Sequence, residues 1–425
     1  MTQSIKNKIP GAFERWTRGA SLGLLLAVAC VATTSAASAA EKAKGPEISR
    51  VIAKEMTAAQ KALQAGQWAE ALKNLDEAET KSPLTAFDKK TIYNFKGFAD
   101  VKLGNLKAAQ TEFERTLATG AATPEEVASI TRTLFGISAS TNQYQKTIDY
   151  GKQMVDAGSA TPDNVAIIAQ SYYQLKDCKN ANAWADKAIA ATRKAGETPK
   201  ENVYLFKLQC ASDSGDTATM DTVLVDLIRL NNKTTYWNTL LRIERQDERV
   251  DRNTLMIYRI MYNTNAMNAD TDYIEMAQLL ADAALPGEAQ AVLEKATSTG
   301  AIKDEHKERT NRLLTALRAR ADTDRKGLAQ EDAEASKSPT GELDVKLGEV
   351  YYGFGDYQKA VDAISRGIQK GQIKHLDEAY VYLGLAEAQL KNYAEAKRTF
   401  ASLKIVPDVS PRVLKLWTLY AEKLG

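Results

Sequence analysis

The stretch LDVKLGEVYYGFGDYQKAVDAISRGIQK, residues 343–370, decides the fold. Leu347-Gly348, Tyr351, Gly355-Asp356-Tyr357, Ala360 and Ile364 fall at successive helical offsets, and each has a steric reason. Gly348 lacks a side chain and lets a facing helix approach, while Tyr351 fills the space one turn later. Gly355 supplies the backbone freedom that ends the first helix, and Ala360 is small for the same reason as Gly348. Two helices packed across a tight turn are expected. The scheme recurs in Leu383-Gly384, Asn392-Tyr393, Ala396 and Phe400, with Asn392 taking the left-handed turn position in place of glycine.

The same spacing spreads outward as Trp68-x-x-Ala71, Leu106-x-x-Ala109, Tyr357-x-x-Ala360 and Tyr393-x-x-Ala396. A period of roughly 34 to 39 residues signals a stacked helix-pair array. Near the start, Gly66, Trp68, Ala71, Ala78 and Pro83 make one unit, and Gly97, Gly104, Ala109 and Phe113 the next. Interior units are weaker: Ile168-Ala169, Tyr172 and Ala181 are recognisable, Thr147 takes a small-residue position, and Gly215-Asp216 with Met220 retains mainly the turn. Between Asn231 and Met267 the pattern nearly disappears, although Trp237, Leu240, Leu241, Leu255, Tyr258, Ile260 and Met261 keep helical spacing and read as a degenerate pair. Met276-Ala277 with Ala289 and Leu293, then Leu314, Gly327 and Pro339, continue the count. The charged stretch 319–337 reads as an exposed helix, with a mobile linker as the alternative, and Pro411 to Leu424 as a helix capping the stack.

These residues resemble the tetratricopeptide repeat family, whose signature W-x₂-L-G-x₂-Y…A-x₃-F…P is met most fully by Leu347-Gly348-x-x-Tyr351…Ala360-x₃-Ile364 and Leu383-Gly384…Ala396-x₃-Phe400. No unit carries the leading Trp, and Glu387 stands where Tyr belongs. The expected fold is all-α: a right-handed α-solenoid of stacked antiparallel helix pairs with a C-terminal capping helix. Its expected segments are a flexible lead-in at 41–52, repeats at 53–230, the degenerate pair at 231–267, repeats at 268–410 and the cap at 411–425.

Lys6, Lys8, Arg15 and Arg18 precede the apolar run Leu22 to Val31 and then Ser35-Ala-Ala-Ser-Ala-Ala40. A basic start, a short apolar core and small residues before a cut mark a secretory signal peptide, here residues 1–40 with cleavage after Ala40; an uncleaved membrane anchor is the alternative. Acylation of Cys30 would make the chain a lipoprotein, but Ala27-Val28-Ala29 lacks the leucine usual before such a cysteine. Removing the leader takes those four cations and Glu14 from the 56 Lys plus Arg and 54 Asp plus Glu of the full chain. A mature charge of about −1 gives no electrostatic case for nucleic acid or an anionic bilayer.

Cys178 and Cys210 remain after cleavage, 32 residues apart. Cys178 opens the second helix of one unit and Cys210 sits in the first helix of the next. A disulfide stapling two repeats is the preferred reading in an exported protein, and two buried free thiols are the alternative.

No chemistry is signalled. His306 and His375 stand apart with no carboxylate pattern, and neither a phosphate loop nor a metal or nucleophile motif occurs. No catalytic residue, metal or cofactor is expected. Binding is the positive reading, because the first helices of successive units line one concave face. By helical offset Thr91, Asn94 and Phe98, then Gln170 and Tyr173, then Gln209 and Ser212, then Glu349 and Tyr352 face it. Tyr, Gln and Asn suit recognition of extended polypeptide.

Across the mature chain, the first unit from Ala59 to Pro83, then Thr198-Pro199-Lys200-Glu201-Asn202, Gly341-Glu342-Leu343, Gly371-Gln372-Ile373 and Tyr382-Leu383-Gly384 look like exported tetratricopeptide proteins encoded beside TonB, ExbB and ExbD. The resemblance implies a periplasmic adaptor in TonB-dependent transport, with TonB, ExbB or ExbD components or receptors as protein partners. The alternatives are an assembly factor for outer-membrane, secretion or polysaccharide-export complexes, and an enzyme or regulatory subunit of envelope polysaccharide synthesis. A closed pocket with converging carboxylates would favour the last.

Overall fold

The computed structural model describes residues 47–246, 248, 250–407 and 409–425. The leader, Cys30 and residues 41–46 lie outside the described residues. Within them the chain is all-α, with twenty α-helices, two short 3-10 turns and no strand. It divides between Ser214 and Gly215 into two compact units.

Unit 1 holds α1 (Ala53–Gln64), α2 (Trp68–Glu79), α3 (Ala86–Leu103), α4 (Leu106–Ala118), α5 (Pro124–Ser140), α6 (Tyr144–Asp156), α7 (Pro162–Gln174), α8 (Cys178–Lys194) and α9 (Glu201–Ser214). α1/α2, α3/α4, α5/α6 and α7/α8 pair, and each pair stacks on the next. The sequence starts these helices firmly. Thr85 with Asp88, Thr123 with Glu126 and Thr161 with Asn164 form capping boxes, and Pro124 and Pro162 take first positions where no amide donor is needed. From Glu47 the lead-in is held rather than loose: a 3-10 turn covers Arg50–Ile52, and the Ser49 amide donates to Asp88 at 2.9 Å.

The small-residue positions are filled as their spacing demands. Ala71, Ala109 and Ala181 are wholly buried, and the Phe113 ring covers Gly97 so closely that a Cβ there would meet it at 2.9 Å. Thr147 is also wholly buried, with its hydroxyl 3.1 Å from both Ser138 Oγ and the Gln143 carbonyl oxygen. A hydroxyl is tolerated there because it is hydrogen-bonded.

Unit 2 holds α10 (Thr217–Leu230), α11 (Thr234–Gln246), α12 (Asp251–Asn263), α13 (Asp270–Asp282), α14 (Pro286–Ser298), α15 (Asp304–Lys337), α16 (Glu342–Gly353), α17 (Tyr357–Lys370), α18 (Leu376–Gln389), α19 (Tyr393–Ala401) and α20 (Pro411–Glu422). The repeat residues act as read: Ala289, Ala360 and Ala396 are wholly buried, Ile364 lies against Gly348, and Phe400 covers Gly384 so closely that a Cβ added there would meet the ring at 2.7 Å.

Two sequence readings are corrected. Gly327, taken in the repeat count as part of a further unit, lies inside α15, a single helix of 34 residues that contains the helix read at 319–337. Thr310, Leu314, Leu317, Ala321, Leu328 and Ala335 continue one buried row through it, and a lone glycine costs a helix only about 1 kcal/mol. Asn392 does not carry the left-handed turn: its φ is −81°, and Lys391 takes +64°. The register is set by Tyr393 and Ala396, which correspond to Tyr357 and Ala360, so the residue matching Gly355 (φ +80°) is Lys391.

The degenerate region does form helices, and its weak pattern has a cause. On α12, Leu255, Met256, Ile257, Tyr258, Arg259, Ile260 and Met261 are all buried, so this helix has no solvent face to give a periodic signal. Its side chains meet α18 at three levels: Arg252 with Asp377 (2.5 Å), Arg259 with Tyr382, and Asn263 with Gln389 (3.2 Å). α20 packs against α19 and also against α12 and α10. Unit 2 therefore closes on itself, its last helix lying on its first.

Candidate functional site

In unit 1 the partner-facing candidates lie on α3, α7 and α9. Asn94 and Gln170 are half-buried and make no side-chain hydrogen bond among the described residues. Phe98 is only 6% exposed, packed edge-on against Trp68 with ring centroids 5.7 Å apart, so it is spent on joining α3 to α2. Tyr173 is half-buried and stacks on Phe206 of α9 at 5.8 Å. Burial and the nearby Asp213 push its hydroxyl pKa up, so it stays a neutral donor. Gln209 is buried and donates to Asp213 at 2.7 Å; Ser212 beside it stays half-exposed. Gln170, Tyr173 and Ser212, with Asp213, thus form a neutral-to-acidic patch across α7 and α9.

The disulfide holds this patch together. Cys178 at the start of α8 and Cys210 on α9 are bonded, with Cα atoms 5.5 Å apart. α9 is the last helix of unit 1 and packs chiefly on α8 and α7 within it. Closing a loop of this size restricts the unfolded chain, so reducing the bridge is expected to cost unit 1 about 2–4 kcal/mol. Hydrogen exchange should show α9 losing protection first while α1 to α4 keep theirs. Unchanged protection of α9 after reduction would contradict this.

In unit 2 the corresponding candidates are buried. Glu349 is 2% and Tyr352 is 9% exposed, on a helix flanked by α14, α17 and α18, with Arg259 of α12 reaching across to Tyr382 of α18. Tyr352 packs edge-on against Tyr382 at 5.3 Å and lies 5.5 Å from Tyr357. Next to them is a cluster that the sequence reading missed. Arg259 is wholly enclosed and meets both oxygens of Glu288 at 3.2 and 3.3 Å, and Tyr382 donates its hydroxyl to Glu288 at 2.7 Å. Burial works against the Arg259 charge, but Glu288 and Tyr382 outweigh it and raise the pKa. Close backbone contact delivers Glu288 to this place: a Cβ on Gly353 of α16 would meet the Glu288 amide nitrogen at 2.7 Å. A signal did exist, since Arg259 is the one charge in the run LMIYRIMY, residues 255–262.

Carboxylates converge here, and Arg259, Glu288, Glu349 and Asp377 are all buried. Two shallow depressions lie on unit 1: one of about 390 Å³ lined by Lys89, Tyr93 and Arg115 among others, and one of about 680 Å³ beside Gly104 and Leu106. Neither includes a partner-facing candidate. Among the described residues no group of three or more His, Cys, Asp or Glu is placed to hold a metal ion, and no helix is long and apolar enough to cross a membrane.

No family model and no curated protein sequence matches the chain. Among solved structures, a tetratricopeptide repeat protein from Parabacteroides merdae is 12% identical, over 63% of this chain and 99% of its own, with a TM-score of 0.31. The C-terminal part of a TPR repeat-containing protein from Cytophaga hutchinsonii is 15% identical over 61% of this chain and 93% of its own, with a TM-score of 0.32. Naa15/Naa10 bound to HypK-THB matches at 13% identity over 85% of this chain and 64% of its own, with a TM-score of 0.35. The paired-helix architecture rests on the chain's own helices. At these identities and TM-scores the three structures add nothing on activity or partner.

Proposed function

We propose that this chain is an exported, non-catalytic scaffold of tetratricopeptide type that holds a polypeptide partner on the inner face of unit 1, in the periplasm and in support of TonB-dependent transport. One observation carries the binding surface. Asn94, Gln170, Tyr173 and Ser212 are half-open in unit 1, whereas Glu349 and Tyr352 at like offsets in unit 2 are buried, on a helix flanked by α14, α17 and α18. Tyr173 is a stiff aromatic with a polar tip, the kind of side chain that dominates binding energy at protein interfaces. Export is supported by the leader pattern and by a disulfide, a bond found chiefly in oxidising compartments. The TonB connection rests on the resemblance of the repeat order to exported proteins encoded beside those components.

The test is binding of the mature chain to the purified periplasmic parts of TonB and of ExbD. Saturable binding to one of them is expected, and Tyr173→Ala should weaken it by a factor of about 30, the loss of a 2 kcal/mol anchor. Tyr352→Phe, altered only in the closed core, should leave affinity unchanged. Binding that ignores Tyr173 would remove the assigned surface, and no binding to either segment would remove the TonB reading.

A further inference from the structure

The closed core of unit 2 contains more acid than base. Asp377 and Glu378 of α18 face Arg252 of α12 at 2.5 and 3.6 Å, Glu288 of α14 faces Arg259 of α12, and Glu349 of α16 faces Lys346 at 3.0 Å. Four carboxylates therefore share three cations. Glu342, one turn before Lys346, adds a further negative charge acting on that lysine. Glu349 has the poorest share. Its only ion-pair partner among the described residues is half-exposed, and its Oε1 is buried with no hydrogen-bond partner among them. The remaining groups around it are Glu378 and Tyr382 from α18 and Arg259 from α12, the last already committed to Glu288. α15 and α17 approach α16 on its other side, where Asp332 and Arg366 act on Tyr351 and Ile364 lies against Gly348.

We infer that unit 2 is a proton-sensitive joint: with a proton on Glu349 the three carboxylates left in these pairs match their three cations and α12 is held tightly against α18, and loss of that proton loosens the seam. A carboxylate ionised there would be a fourth negative charge shielded by three positive ones, in a place water does not reach. Burial raises the Glu349 pKa to about 7, with Glu378 adding to the rise and Lys346 and Arg259 opposing it. The sign follows from the two states. Between the ordinary value of 4.5 and about 7, the folded chain holds a proton that the unfolded chain has released, so raising the pH through this window removes stability. Most carboxylates in folded proteins, held below their ordinary value, give the opposite slope.

The inference does not depend on any partner and is tested on the mature chain alone. Hydrogen exchange of α12, α16 and α18 is followed from pH 5.5 to 8.5 and corrected for the intrinsic pH dependence of amide exchange. Protection of these three helices should fall by a factor of about 10 or more as the pH rises, since one pKa step of differential stabilisation is tenfold. α1 to α4 should stay level, and Glu349→Gln should hold α12 protected across the range. Level protection of α12 in the unaltered chain, or an equal fall in Glu349→Gln, would overturn the inference. Should Glu349→Gln not fold, the unaltered chain decides alone: a fall confined to α12, α16 and α18 supports the joint, and a uniform or absent fall overturns it.

Discussion

Replacing Arg259 by methionine is expected to destabilise unit 2 by about 3 to 5 kcal/mol, because it leaves the Glu288 carboxylate buried without its cation. Glu288 is enclosed between α12, α14 and α18, and its other partner, the Tyr382 hydroxyl, cannot neutralise a charge. A buried pair has a second property that makes the prediction specific. Breaking it is costly, but replacing both partners by apolar groups is often neutral, since the desolvation of two charges then disappears too. Arg259→Met with Glu288→Leu should therefore recover most of the loss. Urea unfolding of the single and double variants measures the coupling. Additive losses would show that the two side chains are not joined as described.

Truncating Trp417 to alanine should have a comparable effect, about 3–5 kcal/mol. Trp417 is wholly buried on α20, stacks on Phe400 of α19 at 5.1 Å and meets Tyr420 edge-on at 5.4 Å. It anchors the helix that closes unit 2. Polar contacts also reach α20: Lys415 bridges Asp221 and Glu244, Arg412 pairs with Glu244 at 2.7 Å, and Glu422 pairs with Arg229 at 2.9 Å. The Arg229–Glu422 pair is exposed on both sides, and such pairs contribute about 0–1 kcal/mol. Glu422→Ala should thus be nearly silent while Trp417→Ala is severe. Thermal unfolding of both variants checks the contrast, and equal losses would mean that the closure is held by charge rather than by packing.

Much of the fold was legible because its determinants are local. Leu347-Gly348 and Tyr357-x-x-Ala360 lie within one helix pair, and the reason for each, a glycine under Ile364 or an alanine in a tight seam, is supplied by a residue about one helix away. α12 was not legible in this way. Beside its neighbours α11 and α13, its burial comes from α20 and from side chains of α14 and α18, and the Arg259–Tyr382 contact spans 123 residues, which no local period records. Asn392 misled for a related reason: Asn favours the left-handed turn position, but the register of Tyr393 outweighed a preference worth about 1 kcal/mol. The candidate site shows the same division. Helical offset put Tyr173 and Tyr352 on like faces of their helices. It carried no information on what lay opposite, which is open surface for one and the chain's own helix for the other.

The most direct measurement is photo-crosslinking in intact cell envelopes, with a photoreactive phenylalanine analogue placed at position 173 or at position 352. The account predicts that position 173 joins the chain to a TonB-system polypeptide, and that position 352 joins it only to itself. Crosslinks to that partner from position 352, with none from position 173, would contradict it.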